Sequence, residues 1–184
     1  MQPTFETQRL ILRPFQSTDA SKVQELAGDI EVARTTLSIP HPYPDGAAES
    51  WIGACRKSAD EGEGFPFALI SKESNTLIGC MSLNIDKSHK RGELAYWVGR
   101  SFWGDGYATE AAKRLIDFGF EDLALNKIWA AAMTRNPASS NVMKKAGMRF
   151  EGEFKRHILK WDKFEDIVFY GLTRIEYEDR GEEV

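Results

Sequence analysis

Gly92-Glu93-Leu94-Ala95-Tyr96-Trp97-Val98-Gly99 runs into Trp103-Gly104-Asp105-Gly106-Tyr107-Ala108-Thr109-Glu110-Ala111-Ala112. The first block has the alternation and β-branched or aromatic content of a strand. The second places small or apolar residues at 108, 111, 112, 115, 116 and 119, a period near 3.6 that predicts a helix with a flat face lying on a sheet. Between them lies a short loop with glycines at 104 and 106. A strand, a glycine loop and a helix in that order leave the unpaired N–H groups of a helix start at a strand tip, where an anion such as a phosphate is held. Without side chains at 104 and 106 a ligand can approach the backbone closely. The expectation is a nucleotide-type ligand carrying a pyrophosphate.

Outward from this centre the chain alternates strands and helices. Arg9–Arg13 reads as a strand closed by Pro14, followed by a helix to about Ala27 capped by Ser17 or Thr18. Ser38 to Pro44 contains three prolines and must be an exposed, extended loop. Asp45 is placed to cap the next helix, which carries Ala48, Trp51, Ile52 and Cys55 on one face. Phe65–Ser71 and Leu77–Ile85 are consecutive strands. Lys127–Met133 is a buried strand, and Pro137 opens a helix stopped by Gly147. Arg149–Leu159 and Phe164–Leu172 pair about a turn at Trp161-Asp162-Lys163. Met133, Phe150 and Phe169 read as core. The pattern is one α/β domain over residues 1–184, its mixed sheet covered by helices. Residues 174–184 carry five acids (Glu176, Glu178, Asp179, Glu182, Glu183) and read as a frayed, solvated tail.

The composition removes several classes of function. In 184 residues, 42% are hydrophobic and 28% charged, ordinary values for a globular protein with one sizeable core. No apolar run is long enough for a membrane span, and the first residues lack a signal-peptide pattern, so the expected location is the cytoplasm. A formal net charge of -4 speaks against nucleic acid as a partner. Cys55 and Cys80 read as buried small hydrophobes, and no Cys/His spacing suggests a metal site. Thr109 occupies the place where a dinucleotide-binding Gly-x-Gly-x-x-Gly loop needs its third small residue, and the Gly-Lys-Ser/Thr of a Walker loop is missing.

Taken together, several motifs resemble the GNAT acyltransferase superfamily, and within it the RimJ/RimL type of ribosomal-protein N-terminal acetyltransferase. They are Thr7-Gln8-Arg9-Leu10-Ile11-Leu12-Arg13-Pro14, Glu93-Leu94-Ala95-Tyr96-Trp97, the 103–111 loop and helix, Asn136-x-x-Ser139, Lys145-Ala146-Gly147-Met148 and Asp166-Ile167-Val168. The resemblance implies a central mixed, mostly antiparallel sheet of six to seven strands flanked by helices. It implies acetyl-coenzyme A as cofactor, direct transfer to a primary amine with both substrates bound, and no metal. The pyrophosphate loop then falls on Trp103, Gly104, Asp105, Gly106, Tyr107 and Ala108, extended by Thr109. Trp103 stands where the superfamily usually has Gln or Arg, which removes one charged phosphate contact. The Asp105 side chain must point outward.

In the same resemblance, a backbone N–H near Trp97-Val98 polarises the thioester carbonyl, and Asn136 binds the pantetheine amide. Asn141 and Lys144 reach the cofactor one turn later, and Ser139 protonates the leaving thiolate. Asn136-Pro137-Ala138-Ser139 also suits a helix cap, which does not compete with those roles. Glu93 is the candidate base for the amine, and His157 is the second, because histidine as a residue type suits proton transfer near neutrality. His41, Tyr43 and Trp51 are expected to line the acceptor side. At neutral pH, freeing a lysine of its proton costs about 4–5 kcal/mol against about 1 kcal/mol for an α-amino group. That favours a protein or peptide N-terminus as acceptor. A polyamine, an aminoglycoside or another small amine, and a non-catalytic acyl-CoA-binding module, are the alternatives. The oligomeric state is left open between monomer and homodimer.

Overall fold

The computed structural model describes residues 2–180. Strand β1 (Phe5–Glu6) is followed by β2 (Leu10–Pro14), a 3₁₀ turn at Ser17–Asp19, and helices α1 (Ala20–Ala27), α2 (Ile30–Thr35) and α3 (Ala47–Glu61). Then come β3 (Gly64–Ser71), β4 (Thr76–Asp86), β5 (Arg91–Val98) and a second 3₁₀ turn at Arg100–Phe102. Helix α4 (Tyr107–Glu121), β6 (Lys127–Met133), α5 (Pro137–Lys145), β7 (Arg149–Lys160), β8 (Lys163–Thr173) and α6 (Arg174–Asp179) complete the order. The sheet has eight strands in the order β1-β2-β3-β4-β5-β6-β8-β7. Only β5 and β6 are parallel. The strand beyond the expected seven is Phe5–Glu6, too short to show a period of two.

Each face of the sheet carries its own core. On one face α4 lays Ala111, Ala112, Leu115 and Ile116 onto Leu83, Leu94 and Ile128, all at most 2% exposed. The small residues of α4 let the helix axis approach the sheet closely. On the other face Val23, Leu26, Val32, Ala48 and Ile52 of α1, α2 and α3 pack on Ala68, Ile70, Cys80 and Trp97. Successive residues of β5 alternate between these cores, so Leu94, Tyr96 and Val98 face α4 while Trp97 faces α1 and α3.

Several local expectations are corrected. The cap of α3 is Gly46 in a left-handed conformation, with no side-chain bond, and not Asp45. The first helical segment is entered through Gln16 and not Ser17 or Thr18. There the Asp19 carboxylate turns back to accept from the Gln16 amide at 2.8 Å while Arg13 grips both its oxygens. Phe150 is 58% exposed because the long β7–β8 hairpin extends past the helices at the sheet edge, and Phe169 is only half-buried, whereas Met133 is fully buried. Residues 174–179 form a capped helix. Thr173 and Glu176 make a capping box, and Tyr177 stacks on Phe120 at 4.7 Å. The acids Glu182 and Glu183 lie outside the described residues. No helix among the described residues is long and apolar enough to cross a membrane.

Candidate active site

The parallel strands β5 and β6 pair only from Arg91 to Glu93 against Lys127 to Trp129. Beyond Glu93 they part, and β5 continues alone against β4. The amide of Gly99 donates to Ile78 O on β4 (2.8 Å), and the carbonyl of Val98 instead accepts from the Trp103 indole N–H (2.7 Å). Backbone groups alternate along a strand, so the amides of Tyr96 and Val98 point into the gap. This is the region to which the family resemblance assigns thioester polarisation.

At the tip of β5 the loop enters α4. Gly104 and Gly106 have φ of 87° and 83°, the left-handed region that L side chains avoid. Gly106 caps α4 without any side-chain bond, and the first helical amide to find an acceptor is that of Glu110, on Gly106 O at 3.0 Å. The amides of Tyr107, Ala108 and Thr109 are therefore unpaired within the helix. They coincide with the positive end of a 15-residue helix, worth about half a unit charge. These residues border a cleft of 320 Å³ that also includes Trp97, Val98, Trp103, Gly104, Gly106, Asn136, Ser139, Asn141 and Lys145.

A second cleft, of 590 Å³, opens on the α1–α3 side of β5. Tyr43 and Trp51 line it, as do Ser58, Asn84, Glu93 and both cysteines. Cys55 and Cys80 are free and buried, and burial pushes the Cys55 thiol up to about 12. Burial also raises the Glu93 carboxyl above its ordinary value, against a smaller opposing effect of the Asn84 side chain. Among the described residues lining this cleft, Glu93 is the one acidic or basic side chain of the Asp, Glu, Lys, Arg or His type. Thr35, Thr36, Tyr96, Trp97 and Ser139 border both clefts, so the two spaces meet there.

At that junction lies a residue the sequence reading passed over. Tyr96 Oη stands 2.7 Å from Ser139 Oγ and 3.1 Å from Ser139 O. Burial drives the Tyr96 phenol to about 12, partly offset by the Ser139 bond. Strand alternation alone was the available signal, because it puts Tyr96 on the α5 side of the gap, opposite Glu93. Asn136 behaves as a cap, its Oδ1 accepting from the Ser139 amide (3.3 Å) and its Nδ2 donating to Thr35 O (3.2 Å).

Lys144, His157 and His41 lie away from both clefts. Lys144 points away, its ammonium 5.9 Å from the Tyr170 ring, because one helical residue is a 100° rotation, and Lys145 takes the cleft-lining place. Asp105 turns its exposed side chain outward and borders neither cleft. His157 is exposed on β7 against Phe154 and Phe169, at 5.2 and 5.9 Å, and His41 is exposed with its ring 6.3 Å from Trp161. Neither histidine lines a cleft, since the hairpin and the proline loop carry them outward. Pro40 and Tyr43 of that loop do line the second cleft.

Residues 9–149 match the Acetyltransferase (GNAT) domain family. The chain is a GNAT acetyltransferase. It is 32% identical over 176 residues to the uncharacterized N-acetyltransferase p20 of Bacillus licheniformis, covering 95% of this chain and 98% of that one. The fold is shared with RimL, the ribosomal L7/L12 alpha-N-protein acetyltransferase, in complex with coenzyme A. That structure has a TM-score of 0.85 at 16% identity, over 93% of this chain and 98% of that chain. A variant of the spermidine N-acetyltransferase of Vibrio cholerae superposes with a TM-score of 0.77 at 20% identity, over 95% and 99% of the two chains. GNAT acetyltransferases use acetyl-coenzyme A, and the first cleft of this one has the donor set such a ligand needs. Unpaired amides and a helix start suit a diphosphate, and the absence of side chains at 104 and 106 lets it approach the backbone.

Proposed function

We propose that this GNAT acetyltransferase acetylates a free peptide or protein amino terminus. In this reading the first cleft binds acetyl-coenzyme A and the second binds the acceptor. The reading is carried by the charge content of the second cleft. Glu93 is its single charged lining residue among the described residues. A polyamine brings several ammonium groups and calls for several carboxylates, whereas an α-amino group brings one. Its pKa near 8 leaves about a tenth of it neutral at pH 7, so no strong base is required.

The coenzyme supplies an acetyl thioester. Gly104, Gly106, Tyr107, Ala108 and Thr109 would hold its diphosphate through their amides, with Asn136, Asn141 and Lys145 bordering the remainder. The inward amides of Tyr96 and Val98 would donate to the carbonyl oxygen as it gains charge. Glu93 takes the proton that the amine loses on attack, and its raised pKa makes it a better base than a solvated glutamate. Ser139 Oγ would donate to the departing sulfur, and Tyr96 Oη would support it by donating in turn to Ser139 Oγ, 2.7 Å away. Burial pushes the Tyr96 phenol up to about 12, which makes it a weaker acid than a thiol, so full transfer from Tyr96 would run uphill. The relay would therefore stabilise the sulfur anion through the Ser139 hydroxyl, and solvent would complete its protonation.

The test is acetyl transfer across three acceptor sets: peptides with a free N-terminus, Nα-blocked peptides containing lysine, and spermidine. Higher kcat/KM for the free N-termini supports the reading. Spermidine or the blocked lysine peptides as the better substrates would refute it. The aromatic wall of Trp51, Trp97 and Tyr43 also fits the ammonium of a compact monoamine, and a preference for amino-acid amides over longer peptides would select that acceptor.

A further inference from the structure

The glycine loop is held from behind by a side chain 96 residues away in sequence. Thr7 and Arg9 belong to the turn between β1 and β2, closed by the Thr7 amide on Leu10 O at 2.9 Å. The Glu110 carboxylate reaches this turn from the first turn of α4. It accepts from Thr7 Oγ1 (2.6 Å) and the Arg9 amide (2.8 Å) on one oxygen, and from Arg9 Nε (2.7 Å) on the other. With Nε committed, Arg9 Nη1 donates to the carbonyl of Asp105 (2.8 Å), and the guanidinium stacks 4.6 Å from the Tyr107 ring. The turn is itself tied to the sheet, since Lys72 N donates to Arg9 O at 2.9 Å.

Asp105 C=O and Gly106 N–H belong to one peptide plane. In a trans peptide they point in opposite directions. By holding the carbonyl on the outer side of the loop, Arg9 turns the Gly106 amide inward to the cleft that Gly106 borders. Glycine-flanked peptides rotate easily, because positive φ costs glycine nothing and few side chains resist the flip. A flipped 105–106 peptide would present a carbonyl oxygen to a diphosphate. Trp103 offers the phosphates no charge, so the direction of the backbone dipoles matters more here than in a loop with its own cation.

We infer that Arg9, locked by Glu110 and Thr7, is a positioning residue for coenzyme binding that fixes the Gly106 amide toward the diphosphate. The inference rests on reading the first cleft as the coenzyme site. The test compares coenzyme A with S-acetylpantetheine, which shares the thiol arm and lacks the diphosphate. Calorimetry on the wild type, Arg9→Met and Arg9→Lys reads both ligands. Arg9→Met should weaken coenzyme A about tenfold and leave S-acetylpantetheine unchanged. Arg9→Lys should fall between, because an ammonium cannot serve Glu110 and Asp105 in a planar fork. In turnover, Arg9→Met should raise KM for acetyl-coenzyme A with kcat nearly constant. Equal losses for both ligands would mean a merely structural role, and no loss for either would mean no role; both overturn the inference. A wild-type protein that does not prefer coenzyme A over S-acetylpantetheine would instead refute the loop as a diphosphate site, and the inference with it.

Discussion

Ser139 and Tyr96 share one short bond at the meeting point of two clefts, and Glu93 stands on the opposite side of the same strand. Their proposed roles separate in kinetics. Ser139→Ala should lower kcat about 10- to 100-fold with KM for acetyl-coenzyme A within about threefold, because a donor to a developing charge acts in the transition state. Tyr96→Phe should cost less, about tenfold, since Ser139 remains as donor. Steady-state kinetics on both variants and the double mutant check this, and the double mutant should fall short of the product of the single effects. Glu93 gives a second prediction at this scale. Its carboxyl is raised by burial, so the acid limb of kcat/KM should bend above the ordinary glutamate value near 4.5. The linkage sign follows. A raised carboxyl pKa means the fold is favoured with Glu93 protonated, and that stability is lost as pH rises through its folded pKa. Glu93→Gln should therefore abolish that limb and lower kcat, while its Tm at pH 7 equals or exceeds that of the wild type.

Among the elements, β4 and β5 meet most tightly at Gly79. A Cβ there would collide with Trp97 O and stand 2.9 Å from Val98 Cα, both backbone atoms that cannot swing aside. Gly79→Ala should destabilise by about 1–3 kcal/mol. For a chain of this size each kcal/mol lowers Tm by roughly 2–4 °C. The same substitution should lower kcat for acetyl transfer more than it raises KM for acetyl-coenzyme A, because Val98 is one of the two residues whose amides face the gap. The entry to α1 depends on charge. Burial acts to raise Asp19, but the Arg13 fork and the Gln16 amide outweigh it and hold the carboxyl below its ordinary value. Stability from a lowered carboxyl is full above its unfolded pKa near 3.9 and is lost as pH falls through the folded value. Asp19→Asn should therefore show a smaller fall in Tm than the wild type between about pH 4 and pH 2, from a lower starting Tm.

For the molecule as a whole, the parting of β5 and β6 is a gap that the fold holds open with two separate cores, one on each face of the sheet. A ligand that fills it binds only the folded state. Acetyl-coenzyme A at about 100 times its Kd should add about 2.7 kcal/mol and raise Tm by roughly 5–10 °C, which differential scanning fluorimetry reads directly. Absence of any shift at millimolar coenzyme would remove the first cleft as its site.

What the amino-acid sequence determined by itself was local. Residues 92–112 spell a strand, a glycine loop and a helix with a flat small face, and those steps depend on dihedral preference and periodicity, which neighbours in sequence set. The cap at Asn136 and the strands of the sheet were legible for the same reason, apart from Phe5–Glu6 with its two residues. What only the tertiary structure decided was direction and company. Tyr96 became a partner of Ser139 because β5 faces α5 across a gap, His41 and His157 were carried outward by a loop and a hairpin, and Lys144 and Lys145 exchanged places by a single helical step. Arg9 met Asp105 because β2 lies beside the start of α4 in space, with 95 residues of chain between them. Contacts of that kind arise from packing across the chain, and the pattern of residues along it carries no record of them.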